Sequence, residues 1–230
     1  MSGTENRWMP MQEILEFLGE LEKNNHRDWF HAHKAQYNRA RDRFLAELQK
    51  IIDQLQLHDP RLAELEPKNA LFRIFRDIRF SKDKTPYKTH FGAYMARGGR
   101  KSSEAGYYLH IGTGEKFLAA GVHSPAKEHL QAIRQEIIYR PDTYNEILEN
   151  LQAKGFAMYK KDKLKKGPKD FPADSPVIEH LKNKHFLLSC DLAESEVRSG
   201  NLARHVTDRF SQLTPYTAFL NEAMEYTGNE

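Results

Sequence analysis

The stretch Gly106-Tyr-Tyr-Leu-His-Ile-Gly-Thr-Gly-Glu-Lys-Phe-Leu-Ala-Ala-Gly-Val122 decides how this chain folds. Two strand-like runs, Gly106 to Ile111 and Lys116 to Val122, flank Gly112-Thr113-Gly114, and that arrangement predicts an antiparallel hairpin. The glycines are turn residues rather than a phosphate loop, because the segment after them reads as strand and not as helix. Working outward, His90 to Ala96 reads as another strand, ended by Arg97-Gly-Gly-Arg100. Further upstream the chain alternates. Phe72, Ile74, Ile78 and Phe80 share one face with Arg76, while Arg73, Phe75, Asp77 and Arg79 point the other way. His185 to Cys190 is a late strand. Strands are therefore expected near 71–80, 90–96, 106–111, 116–122 and 185–190, in one mainly antiparallel sheet.

Helical periodicity brackets these strands. Met11 to Leu21 carries Ile14, Leu15, Phe17, Leu18 and Leu21 on one side. Asn25 is placed to cap a longer helix over about 26–57, whose stripe is Phe30, His33, Tyr37, Phe44, Leu48, Ile51 and Leu55. Ser124-Pro125 offers an N-cap and a first-turn proline to a helix with Leu130, Ile133 and Ile137. Helices follow at about 142–154, from Asn201 to Leu213 and from Pro215 to Tyr226. The expected fold is α+β. It is a single domain over 1–230, with a mainly antiparallel sheet of about five or more strands flanked by N- and C-terminal helices. Residues 10–58 form its helical start and 71–122 its sheet core. Residues 124–230 hold helices, a basic loop and the late strand.

The chain has 230 residues, 13 Phe, 10 Tyr and one cysteine, Cys190. The aromatics supply a core, and a lone cysteine excludes an internal disulfide framework and fits a reducing cytoplasm. No run approaches the roughly 20 apolar residues of a membrane span, and Met1 to Pro10 lacks the apolar core of a signal peptide. A cytoplasmic protein with no membrane partner is expected. The net charge of +3 hides an uneven distribution. Arg73 to Lys101 holds nine Lys/Arg against two Asp, and Lys154 to Lys169 seven Lys against one Asp. The rest of the chain then carries −10.

A basic concentration on strand-like sequence suggests a prepared anion site. Arg76 shares its face with apolar residues, where a guanidinium needs a carboxylate, a phosphate or several carbonyls. One reading makes Arg76 the floor of that site, with Arg73 or Arg79 and Lys82 or Lys84 at its rim, and Asp77 and Asp83 orienting the bases or one of them acting as a general base. The plainer reading leaves Arg76 solvated at a bulge. Tyr87, Lys88, His90, Tyr108 and His110 lie on neighbouring segments, where a His–Tyr pair beside cations can transfer protons. A hydrogen-bonded structural histidine is the simpler alternative. His31 and His33, two apart on a helix, point away from each other, so no metal is expected. No dinucleotide fingerprint is present and no cofactor is expected. The lysine-rich run, with Phe156, Tyr159 and Phe171 nearby, has the make-up of a solvated loop or of a track for a phosphate backbone.

Several segments resemble an uncharacterised family of bacteria and some fungi, domain of unknown function 2461. They are Asn24-Asn-His-Arg-Asp-Trp-Phe30, Phe72 through Lys88, Gly106-Tyr-Tyr-Leu-His110, Ala120-Gly121 with the Pro125 helix, and the late Lys-Lys-Gly-Pro-Lys-Asp-Phe stretch. The resemblance covers nearly the whole chain and implies one intact domain. It brings no activity, substrate or catalytic residue. The residues themselves point first to a phosphorylated or carboxylated small ligand held on the sheet, whether or not chemistry follows. A nucleic-acid-associated protein using both basic runs, or a module docking on an acidic partner, are the rivals. A concave pocket favours the small ligand and a continuous exposed stripe favours nucleic acid.

Overall fold

A computed structural model describes residues 10–225. Three helices open the chain: α1 (Pro10–Lys23), α2 (Arg27–Ala32) and α3 (Lys34–Leu55). After a short 3-10 turn and α4 (Pro67–Ala70), an irregular arm over 71–89 leads into β1 (His90–Met95), β2 (Gly106–Gly112) and β3 (Lys116–Val122). Then come α5 (Lys127–Tyr139), α6 (Pro141–Ala153), β4 (Ala157–Met158), α7 (Ile178–Leu181) and β5 (Phe186–Asp191). The described chain closes with α8 (Glu194–Arg198) and α9 (Leu202–Glu225). The sheet order is β1-β2-β3-β5-β4, and every pairing is antiparallel. The expected α+β single domain is the observed one.

One face of this sheet is the core. Phe91, Ala93 and Met95 of β1 are buried, as are Tyr107, Leu109 and Ile111 of β2 and Phe186 and Leu188 of β5. They meet α3 and α9, through pairs such as Phe44–Phe91 at 5.3 Å and Tyr107–Phe210 at 5.2 Å. Each fully buried large apolar side chain contributes roughly 1.5–3 kcal/mol, so these rows outweigh local propensities. The Tyr107 hydroxyl keeps its partner, donating to Asp59 at 3.1 Å. A single cluster of buried residues runs from Met11 to Met224.

The clearest departure from expectation is 71–80, which forms no strand. Only Leu71 bridges to Ala93 and Phe75 to Tyr87. The Lys88 N–H donates to the Ile74 carbonyl at 2.8 Å and the Arg76 N–H to Pro86 at 2.9 Å. Residues 74–76 therefore fold back on 86–88 instead of extending along the sheet. Local charge chemistry explains the turn. Asp77 accepts from both the backbone and the guanidinium of Arg79, and Lys84 donates to the Ile78 carbonyl at 2.9 Å. The apolar–basic alternation has strand period, but short-range ion pairs and Pro86 curl the chain before it can pair.

Smaller differences have similar causes. The helix expected over 26–57 is interrupted at His33. Asn25 does not cap it; His26 does, and Asn25 instead clamps the arm, donating to the Tyr87 carbonyl at 2.9 Å and accepting its N–H at 3.1 Å. The expected break at Pro215 is absent and α9 runs through it, with Leu213 and Tyr216 fully buried on either side. Its expected end at Tyr226 lies outside the described residues. Helix α5 begins after Ala126, so Ser124 is not its cap.

Candidate functional site

The opposite face of the sheet is uncovered and concave. It forms a groove of about 1170 Å³ lined by Phe72, Tyr94, Tyr108, Phe117, Tyr159 and Leu187, among others. Strand register explains its shape. Tyr94, Tyr108, Ala119, Ser189 and Ala157 lie side by side across all five strands. Large rings stand at one end of that row and small side chains at the other, so the floor drops across β3, β5 and β4. Gly92 makes the first part possible: a Cβ there would lie 2.6 Å from the Tyr108 hydroxyl, so the glycine lets that ring lean over β1.

The aromatic wall continues past the groove. The Tyr108 hydroxyl and His110 Nδ1 are hydrogen-bonded at 3.1 Å. His110 stacks between His90 at 4.1 Å and Phe117 at 4.7 Å. Burial dominates the electrostatics here. It pushes Tyr108 up to about 12 and lowers His110. Burial, then His110 and Lys88, lower His90 to about 4. All three groups are therefore neutral near pH 7, and the wall reads as a stacking surface with hydroxyl and imidazole edges.

Charge is sorted along the groove. Arg100 and Lys161 belong to the end where β1 and β3 finish and β5 begins, together with Ser124 and Ala126 ahead of α5. Glu115, Asp191 and Glu194 belong to the other end, where Lys116 pairs with Glu194 at 2.8 Å. Ala126, which lines the basic end, precedes the first turn of α5, and no side chain caps that turn. The two basic runs of the sequence thus meet in one cavity, Arg100 from the first and Lys161 from the second.

The residues singled out in the sequence divide into two groups. Tyr108, His110, His90 and Lys88 gather at or beside the groove, with the Lys88 ammonium 5.5 Å above the Phe72 ring. The others stay on the arm. Arg76 is paired with Asp83 and donates to Thr85, including its carbonyl at 3.2 Å, so its cationic head closes the arm on itself. Arg79 is taken by Asp77 at 2.6 Å. Arg73 and Lys82 are exposed. Tyr87 is buried in the core, stacked on Phe30 at 4.0 Å. Sequence reasoning missed Tyr94, Arg100 and Phe117, and met Lys161 only within the lysine-rich run of the nucleic-acid reading. The alternation of β1 and β3 was the available signal, since Tyr94 and Phe117 fall on the same face as Tyr108 once the register is known. Among the described residues no three His, Cys, Asp or Glu are placed to hold a metal ion.

A family model described as "Conserved hypothetical protein (DUF2461)" matches residues 13–219. The chain belongs to this family. The match takes in all five strands, the arm and most of α9, so the groove is built wholly from family sequence. No curated protein and no solved structure matches the chain. Among the described residues no helix is long and apolar enough to cross a membrane.

Proposed function

We propose that this DUF2461 protein binds a small ligand with a flat or apolar body and an anionic end in the groove on the open face of its sheet. The observation that carries this is the meeting of Arg100 and Lys161 at one end of an aromatic-lined cavity. A cavity of this size accommodates a metabolite-sized molecule, and few polar groups among aromatic rings are the usual make-up of such sites. The body lies on Tyr94, Tyr108 and Phe117. A carboxylate or phosphate faces Lys161, the uncapped start of α5 and the remaining donors of Arg100, whose Nη1 is held by the Lys68 and Asn69 carbonyls at 3.2 and 3.1 Å, and the acidic end repels a second anion. Arg76 and Arg79 play no direct part, because they already hold carboxylates.

A thermal-shift screen over aromatic and aliphatic organic acids, sugar phosphates, nucleotides and oligonucleotides tests this, since a ligand of the native state raises its melting temperature. The expected result is stabilisation by monomeric acids or phosphates that is lost in Ser189→Trp, which fills the lowered part of the floor, and weakened in Lys161→Gln. Stabilisation by oligonucleotides alone, with a steep salt dependence and equal sensitivity to loss of Lys160, Lys165 and Lys166, would replace the small ligand with nucleic acid.

A further inference from the structure

We infer that Ser124 is a nucleophile, activated by His185, that hydrolyses carboxylic esters whose acyl part lies in the groove. The inference rests on the groove reading for the class of acyl group and on separate observations for the chemistry. Ser124 lies where β3 ends, on the turn into α5, exposed at the cavity edge. Its Oγ is 3.3 Å from Nδ1 of His185. His185 is buried, and its other ring nitrogen, Nε2, is 3.6 Å from a carboxylate oxygen of Asp162. A hydroxyl, an imidazole and a carboxylate in series are the parts of a serine nucleophile with its base and its orienting group.

Three further features favour chemistry over a chance contact. The imidazole is fixed in place, stacked on His123 at 4.3 Å and met edge-on by Tyr159 at 5.5 Å. The Ser124 N–H donates to Nδ1 at 3.0 Å, which makes Nδ1 the unprotonated nitrogen and puts the ring proton on Nε2, toward Asp162. Nδ1 is therefore the acceptor atom, its one lone pair shared between the Ser124 N–H at 3.0 Å and the hydroxyl at 3.3 Å. Finally, Ser124 at φ 50° and Asp162 at φ 59° are the two non-glycine residues with positive φ among the described residues, and both flank His185. Such strain persists only where surroundings impose it, and it concentrates at functional sites.

Ser124 Oγ attacks the ester carbonyl carbon while its proton passes to His185 Nδ1, and the Ser124 N–H gives up its bond to that nitrogen as the lone pair is taken. The carbonyl oxygen takes up the negative charge beside the free N–H groups that open α5. The C–O bond to the alcohol then breaks, the alcohol leaves with the proton from Nδ1, and an acyl-Ser124 remains. Water attacks that ester, gives a proton to Nδ1, and releases the carboxylic acid as the proton returns to Oγ. Asp162 acts through His185 as a positioning residue, holding the charged imidazole that forms in each half. The product acid is of the class proposed for the groove.

A small fluorophosphonate, which transfers phosphorus to an activated serine with loss of fluoride, tests the nucleophile directly. The wild-type chain should gain one equivalent, found at Ser124 by peptide mass analysis. Hydrolysis of 4-nitrophenyl esters should fall at least about 100-fold in Ser124→Gly, the lower end expected for losing a base-activated nucleophile. Glycine accepts φ 50°, so the same variant should melt no lower than wild type; a purely structural Ser124 would give that stability with unchanged hydrolysis, and would overturn the inference. Asp162→Asn should lower kcat and leave KM alone. Absent labelling, while organic acids still raise the melting temperature, removes Ser124 chemistry and leaves the groove. Labelling at Ser124 with no such shift removes the groove reading and leaves the nucleophile.

Discussion

Gly121→Ala should be among the most damaging single-methyl changes in this fold. Gly121 sits in β3 at φ 125°, a conformation L side chains rarely adopt. A Cβ built there would lie 1.9 Å from the carbonyl oxygen of Phe186 on β5. Real Cβ–oxygen contacts are longer by more than an ångström, so the Phe186 carbonyl must move and the β3–β5 pairing at Gly121–Leu187 must open. Backbone strain contributes roughly 1–2 kcal/mol, and each buried hydrogen bond left unmade about 1–3 kcal/mol. The sum is about 4 kcal/mol. For a chain of this size a kilocalorie per mole shifts the midpoint by about 2–4 °C, so the variant should melt at least about 8 °C lower. Gly155→Ala is the control: Gly155 also has positive φ, 88°, but a Cβ there meets nothing within 4 Å. It should lose only the strain, about 1–2 kcal/mol. Equal melting temperatures for the two variants, by calorimetry or circular dichroism, would refute the claim that close strand approach rather than backbone angle makes Gly121 necessary.

Two pH effects follow from the shifted groups. Asp83 is held at about 2 by the Thr85 N–H, then by Arg76 and the Thr85 hydroxyl, against an ordinary 3.8. Its folded pKa is depressed, so its contribution to the arm is complete above about pH 4 and is lost as pH falls toward 2. The protection factor of the Thr85 amide, which donates to Asp83 at 2.9 Å, should fall across that window and be low at all pH values in Asp83→Asn; a Thr85 amide equally protected at pH 2 and pH 6 would contradict this. His90, at about 4 against an ordinary 6.5, also has a depressed folded pKa. The unfolded chain binds the extra proton first, so stability should decline as pH falls from about 6.5 to 4. His90→Gln should flatten that decline in urea midpoints; an unchanged slope would place the titration elsewhere.

How far the sequence could be read depended on the range of the forces involved. The β2–β3 hairpin and the stripes of α1 and α3 were legible because burial alone decides them. Phe44, Leu48 and Ile51 are fully buried as their spacing requires. The arm was not legible, since its alternation satisfied strand period while pairs two to nine residues apart, Asp77 with Arg79 and Arg76 with Asp83 and Thr85, curled it away from the sheet. The two-residue β4 has too short a pattern to register at all. Ser124 was misread for a subtler reason. Ser-Pro before a helical stripe is good capping chemistry, but His185, distant in sequence, competes for the same hydroxyl and N–H, and the helix starts two residues later without it.

The composition of the open face is what supports the proposed binding role over an ordinary solvated surface. An antiparallel sheet tolerates water on one side, and its outward positions are then filled with polar and charged side chains. Here the outward positions of the three central strands hold Tyr108, His110, Phe117, Ala119, Leu187 and Ser189. Tyr108, His110 and Phe117 are only half-buried, so three aromatic rings stand in contact with water on one wall. Solubility alone disfavours that, and core packing does not require it, because the buried rows of the same strands already face α3 and α9. Contiguous apolar surface framed by polar residues normally marks an interaction site. The framing here is charged and sorted by sign, and that sorting is what favours the proposed ligand with one anionic end over a symmetrical or neutral one.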